Sequence, residues 1–171
     1  REIAANLWHE NPNVRSDCLK VLYEIGEQNP ALIGDYADDF LRLLNDKNNR
    51  LVWGSMTALA AIAPLKADEL YKYHADIERA TTEGSVITTD YGIKALAVIA
   101  ASNAVRNKQI FPFLLTHLAS CRPKDVPQRA EKISVAVTAR NRDNFVQMLE
   151  NRMSDLSAAQ AARVRKVIKA V

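Results

Sequence analysis

No stretch of this chain approaches the roughly 20 consecutive apolar residues needed to cross a bilayer, so no transmembrane helix is expected. Only five glycines occur, and no Gly-x-x-x-x-Gly-Lys or Gly-x-Gly-x-x-Gly phosphate loop can be assembled from them. The two cysteines, Cys18 and Cys121, make neither a disulfide framework nor a metal-ligand spacing, which suits a reducing cytoplasmic setting. Three histidines are too few and too scattered to complete a metal site: His117 and Cys121 are four apart, but His74 lies far from both. No Gly-x-Ser-x-Gly elbow or recognisable Cys/His pair is present, so no catalytic residue, cofactor or metal ligand is assigned. Strands are nearly excluded as well, since Val86-Ile87-Thr88-Thr89 is the only β-type run.

What the chain has is a repeat. Ile25, Ile62 and Ile99 recur at steps of 37, and the same offset aligns Leu22 with Leu59 and Leu96, and Leu19 with Met56 and Ile93. It also aligns Cys18 with Ser55 and Gly92, a column of small side chains where helices can approach closely. In a second segment Ile33 meets Leu70, Tyr36 meets Tyr73 and Ile110, and Phe40 meets Ile77 and Leu114. A worn fourth copy places Ala130 and Ile133 on Ile93 and Leu96. With a loop two residues shorter after Ala139, Phe145, Leu149 and Met153 follow.

Each unit reads as two amphipathic helices. In the first, Val14, Cys18, Leu22 and Ile25 share a face, Asn11 can cap, Pro12 suits the first position and Gly26 can close the helix. The expected pairs are 12 to 26 with 30 to 45, 49 to 63 with 66 to 82, 88 to 101 with 108 to 120, and 126 to 139 with 143 to 155. A helix from 157 to 170, capped by Ser157, ends the chain. The repeats run 11–46, 47–83, 84–121 and 122–156, followed by 157–171, all within a single domain, 1–171. One period back, Ile3 falls on Phe40 and Leu7 on Leu44, so the chain is expected to open partway through the second helix of an earlier repeat, with Ile3 and Leu7 exposed.

Asn13-Val14-Arg15 through Cys18, Leu22 and Ile25-Gly26, then Pro30-Ala31-Leu32-Ile33 and Leu43-Leu44-Asn45-Asp46, resembles a HEAT repeat, of the HEAT and armadillo-like α-solenoid group. The resemblance implies an all-α, right-handed α-α superhelix of about four stacked helix pairs with partial units at both ends, and second helices lining a groove. Val52 and Thr89 stand where the first copy has Arg15, so an arginine ladder between copies is not implied. Two enzyme groups share such scaffolds. Deoxyhypusine hydroxylases need repeated His-Glu pairs, but His9-Glu10 is matched at the offset by Asp46-Lys47, Glu83-Gly84 and Ser120-Cys121. Alkylpurine DNA glycosylases use an Asp and aromatics, and Trp53 and Asp90 occupy equivalent positions here, without further likeness around them.

The expected function is therefore a non-catalytic protein-interaction or scaffolding module. Its contact residues are the positions, polar but for Phe113, that the core stripe leaves over on the second helices: Asp35, Asp38, Asp39, Arg42, Lys72, Asp76, Arg79, Phe113, Thr116, Gln147 and Asn151. The alternative is nucleic-acid binding. Residues 122 to 171 hold 11 Lys or Arg against 5 Asp or Glu, and Arg163, Arg165, Lys166 and Lys169 crowd the last helix, a charge pattern that attracts phosphates.

Overall fold

The computed structural model describes residues 1–171. All regular structure is helical: α1 (Glu2–Ala5), α2 (Pro12–Gln28), α3 (Ala37–Leu43), α4 (Asn49–Tyr71), α5 (His74–Glu83), α6 (Val86–Ala101), α7 (Ala104–Ser120), α8 (Val126–Ile133), α9 (Arg142–Asn151) and α10 (Ala158–Ala170), joined by short 3-10 turns. The chain forms two compact units, Arg1–Ile99 and Ala100–Val171.

In the first unit the repeat is written into the backbone. Asn11 accepts a hydrogen bond from the Asn13 N–H, and Asn48, one period on, accepts from Arg50. One period further, Ser85 Oγ accepts from the Thr88 N–H at 3.3 Å. Each satisfies a donor that a helix start leaves unpaired. The long helices α2 and α4 pack on each other, and α3 lies against α4. The aligned columns are interior: Leu22, Leu59 and Leu96 are buried, as are Leu19, Met56 and Ile93, while Ile25 is only half-buried.

Two of the expected second helices are broken. The 30 to 45 segment becomes 3-10 turns at Pro30–Leu32 and Gly34–Tyr36 before α3, and 66 to 82 is divided between the end of α4 and α5. The boundary between first and second helix recurs at the repeat period, close to where the expected pairs divide: Asn29 (φ −146°, ψ 90°), Lys66 (φ −118°, ψ 21°) and Asn103 (φ −163°, ψ 165°) all leave helical geometry. Pro30 disfavours a helical Asn29, and Pro64 removes a backbone donor just before Lys66. The break inside the second helix falls at Tyr36 (φ −100°, ψ 17°) and Tyr73 (φ −113°, ψ 16°), so two copies carry a short turn, a medium helix and a long helix. In the third copy Ile110, in the same column, is fully buried and α7 runs through it.

The small-residue column marks a close approach. A Cβ on Gly92 would lie 2.0 Å from Thr81 Oγ1 and 2.9 Å from Thr81 Cβ. Thr81 cannot swing away freely, being fully buried with its hydroxyl donating to the Ile77 carbonyl at 2.6 Å. Gly92→Ala should therefore cost about 1–3 kcal/mol through overpacking. In a double-mutant cycle the loss should shrink in a Thr81→Ala background, because the atoms in the way are gone. Equal losses in both backgrounds would show that the helices are not held this closely.

Two expectations for the ends of the repeats are corrected. Leu7 is not exposed but fully buried, in a 3-10 turn covered by α2, while Ile3 remains 37% exposed. The Arg15 guanidinium seals this turn by donating to the Leu7 carbonyl at 2.9 Å. In the second unit the helix expected over 126 to 139 stops at Ile133, a 3-10 turn takes Ser134–Ala136, and Val137 is extended. The released backbone is satisfied by side chains, since Asn107 Nδ2 donates to the Ala136 carbonyl at 2.7 Å and Asn141 Oδ1 accepts from the Thr138 N–H at 2.7 Å. Phe145 and Leu149 are fully buried where the shifted register places them, and Met153 is half-buried.

The HEAT-like residues Arg15 and Asp46 meet as an ion pair at 2.5 Å, each side chain 19% exposed. Burial pushes the Asp46 carboxyl up, but the Asn48 N–H and the Arg15 guanidinium outweigh it and hold the group below its usual range. A lowered folded-state value means that this pair contributes its full stability above the unfolded carboxylate pKa of about 3.9, and loses it as pH falls through the folded value. Asp46→Asn should cost about 1–3 kcal/mol in urea denaturation at pH 7 and almost nothing near pH 2. A pH-independent difference would mean that the charge plays no part.

Candidate functional site: an aromatic and acidic cluster on the long helices

Many of the sequence-predicted contact residues are used internally. Asp39 accepts from Trp8 Nε1 at 2.9 Å, and the Arg42 guanidinium lies 4.3 Å from the Trp8 ring centre. Arg79 donates to Asn45 at 2.7 Å and pairs with Asp76 at 3.2 Å. In the second unit Gln147 donates to Asn151 at 3.0 Å, the Thr116 hydroxyl donates to the Pro112 carbonyl, and Phe113 packs on His117 at 4.7 Å. Asp35, Asp38 and Lys72 are exposed. The structure thus brings Asp39 together with Arg42 beside Trp8, Asp76 with Arg79, and Gln147 with Asn151. The remaining predicted positions in each unit are not gathered into one cluster.

Of the predicted phosphate-binding cations, Arg163 is held by both carboxylate oxygens of Glu131. That contact lowers the Glu131 pKa and raises that of Arg163. Arg165, Lys166 and Lys169 are exposed along α10. His9 and Glu10 are exposed, and no set of three His, Cys, Asp or Glu side chains is grouped to hold a metal ion. His117 stands at the end of α7, where burial and nearby Arg129 lower its pKa, while Cys121 Sγ donates to the Leu118 carbonyl. No helix is long and apolar enough to cross a membrane.

The clustering of recognition-type side chains lies instead on the three long helices of the first unit. Tyr23 on α2 faces Trp53 on α4, with ring centres 5.7 Å apart and planes inclined at 53°. Tyr91 on α6 donates a long hydrogen bond of 3.3 Å to Glu27 on α2. Both phenol pKa values are raised, for Tyr23 by burial and then by Glu24, Glu27 and Tyr91, and for Tyr91 by burial and then by Glu27 and Asp90. Both therefore remain protonated donors at neutral pH. Beside them, α2, α4 and α6 line a recess of about 350 Å³, whose lining includes Gly26, Glu27, Ala61, Pro64, Tyr91 and Lys94. The Lys94 ammonium sits 6.0 Å from the centre of the Tyr91 ring, so a cation already rests near this surface.

Sequence reasoning noticed Trp53 and Asp90 but missed Tyr23, Glu27 and Tyr91. The available signal was their position just off the apolar stripe, on helices whose outer faces otherwise carry Asp17, Lys20, Glu24 and Lys94. Aromatic rings next to a carboxylate, all half-exposed or exposed, bind cations through ring quadrupoles and charge.

No protein-family model and no curated protein matches the sequence. Solved structures do match. A designed armadillo repeat protein in complex with the peptide (KR)4 superposes with a TM-score of 0.79 at 14% identity, over 98% of this chain and 80% of that one. This is an armadillo/HEAT-like helical-repeat fold. Computationally designed armadillo repeat proteins for modular peptide recognition give a TM-score of 0.75 at 14% identity, over the same 98% and 80%. A structure of the cadherin and beta-catenin interaction gives 0.67 at 14% identity, covering 98% of this chain and 36% of that chain. At these identities the armadillo-like likeness is one of fold, and the site must be argued from its own residues.

Proposed function

We propose that this protein is a non-catalytic binding scaffold that takes an extended, basic segment of a partner protein across α2, α4 and α6. The observation that carries this reading is the Tyr23, Trp53 and Tyr91 cluster set against Glu27 beside the recess. Rings of this kind attract a guanidinium or ammonium, and desolvation strengthens the contact. The unit as a whole favours the same partner: residues 1 to 99 hold 10 Lys or Arg against 15 Asp or Glu. A designed armadillo neighbour holding a (KR)4 peptide agrees with this chemistry. Asp35 and Asp38, exposed on the second-helix side, belong to the alternative contact surface that the sequence pattern points to.

The test is fluorescence anisotropy with a labelled peptide of alternating Lys and Arg. Trp53→Ala and Glu27→Lys should each weaken binding about tenfold, corresponding to the loss of about 1.4 kcal/mol. Asp35→Asn with Asp38→Asn should change affinity by less. The opposite ranking would move the contact surface to the second helices, and absence of binding by the unaltered protein would remove the proposal.

A further inference from the structure

The second unit contains a larger groove of the opposite character. One wall is a stripe of α7 that includes Asn107, Lys108, Phe111 and Leu115, and the other is the segment from Thr138 to Asn141, with a volume of about 750 Å³ between them. One aromatic residue, Phe111, lines it beside Leu115 and Pro112. Phe111 is buried and meets the buried Phe145 ring at 6.3 Å, which anchors the apolar surface to the core.

The far wall is fixed in advance. Asn107 is buried, and its amide donates to the Ala136 carbonyl at 2.7 Å and to the Ala100 carbonyl at 3.4 Å. Its oxygen accepts from Asn141 Nδ2 at 2.8 Å, and Asn141 in turn holds the Thr138 N–H. A loop tied by interlocked amides need not be ordered by a ligand, which lowers the cost of binding.

Charge selects the occupant. Lys108 and Arg140 both line the groove and are exposed, and no Asp or Glu lines it. Residues 100 to 171 hold 13 Lys or Arg against 5 Asp or Glu, so the surrounding field has the same sign. Apolar floor, fixed polar wall and two cations together fit a side chain that is apolar with carboxylates beside it. A nucleic acid would need further cations for its phosphates, whereas the exposed cations of α10 are not among the residues lining the groove.

We propose that this groove is a second, independent docking site, which accepts an acidic segment of a partner protein by burying one aromatic or leucine side chain over Phe111 and Leu115 and pairing its flanking carboxylates with Lys108 and Arg140. The scaffold thus has two faces of opposite specificity, basic peptide on the first unit and acidic peptide on the second.

The probe is a fluorescein-labelled peptide with a central Leu-Phe pair flanked on both sides by Asp and Glu. Anisotropy should show saturable binding to the full chain, weakened about thirtyfold or more by Lys108→Glu with Arg140→Glu, since like charges then face each other across the contact. Ala139→Trp, which fills the groove from an exposed position, should also abolish binding while leaving the circular dichroism melt unchanged. In an NMR titration the side-chain amide signals of Asn107 and Asn141 should shift, a readout that non-specific charge attraction to α10 would not produce. Trp53→Ala and Glu27→Lys should leave this peptide's affinity unaltered, so that failure at one site is separable from failure at the other. The proposal is overturned if the probe does not bind, if charge reversal at Lys108 and Arg140 has no effect, or if a short DNA duplex displaces the probe and both are lost together when Arg165, Lys166 and Lys169 are neutralised.

Discussion

Leu59→Ala is expected to cost about 2–5 kcal/mol of folding stability, the sum of the lost transfer energy and the cavity left behind. Leu59 has no exposed surface and sits in the middle of α4, the helix against which both α2 and α3 pack. The same column supplies Leu22 and Leu96, also buried, and the neighbouring column supplies Met56, so little nearby side chain is free to collapse into the void. Leu65, on the same helix but 58% exposed, serves as control, and Leu65→Ala should fall within about 0.5 kcal/mol of the parent. Urea denaturation of the two variants decides the matter. A Leu59→Ala loss below about 1 kcal/mol would contradict the packing described for α4.

Arg152→Met should cost about 2–4 kcal/mol, although it replaces a charged residue by one that packs well. The guanidinium closes the C-terminal end of α7: its two terminal nitrogens donate to the carbonyls of Leu118 at 2.8 Å, Ala119 at 2.7 Å and Cys121 at 2.7 Å, while Nε pairs with Asp155 at 2.8 Å. The last carbonyls of a helix have no partner within it, and a cation there also meets the negative end of the helix dipole. At 11% exposure the side chain is largely shielded from water, so the carbonyls it leaves are not all rescued by solvent. Arg152→Lys separates the two effects, because an ammonium keeps the charge but cannot span three carbonyls with a planar fork. Lysine should recover less than half of the loss in thermal or urea unfolding. Full recovery would assign the effect to the dipole alone.

Core columns were legible in the sequence because burial follows the period of a helix and the repeat supplies several independent readings of each position. Phe40, Ile77 and Leu114 are all fully buried, as are Ile33 and Leu70 to within a percent. Caps were legible for a local reason: Asn11 and Ser157 act within three residues of themselves, and Ser157 completes a capping box with Gln160. Breaks within the second helices were less so. Periodicity is nearly the same for one bent helix and for two short ones, and only the φ/ψ departures at Tyr36 and Tyr73 reveal the difference. The fourth copy misled for a related reason. Its first helix ends early at Ile133, and the Ala136 carbonyl beyond it is taken by Asn107, from another helix.

The candidate site was hidden by reach. Glu27 and Tyr91 are 64 positions apart, and Trp53 comes from a third helix, so no local spacing announces that they meet. The same holds for Asp39 and Arg42, which sequence reasoning placed in a free binding row and which the fold spends on Trp8. By itself the sequence determined the all-helical class, the repeat length, the buried columns and the split between an acidic first part and a basic second part, because hydrophobic period and net charge are properties summed along the chain. Only the tertiary structure decided where the helices bend, which charges are already paired, and which aromatic and acidic side chains share a surface, because each of those depends on groups that approach through space and compete for the same partners.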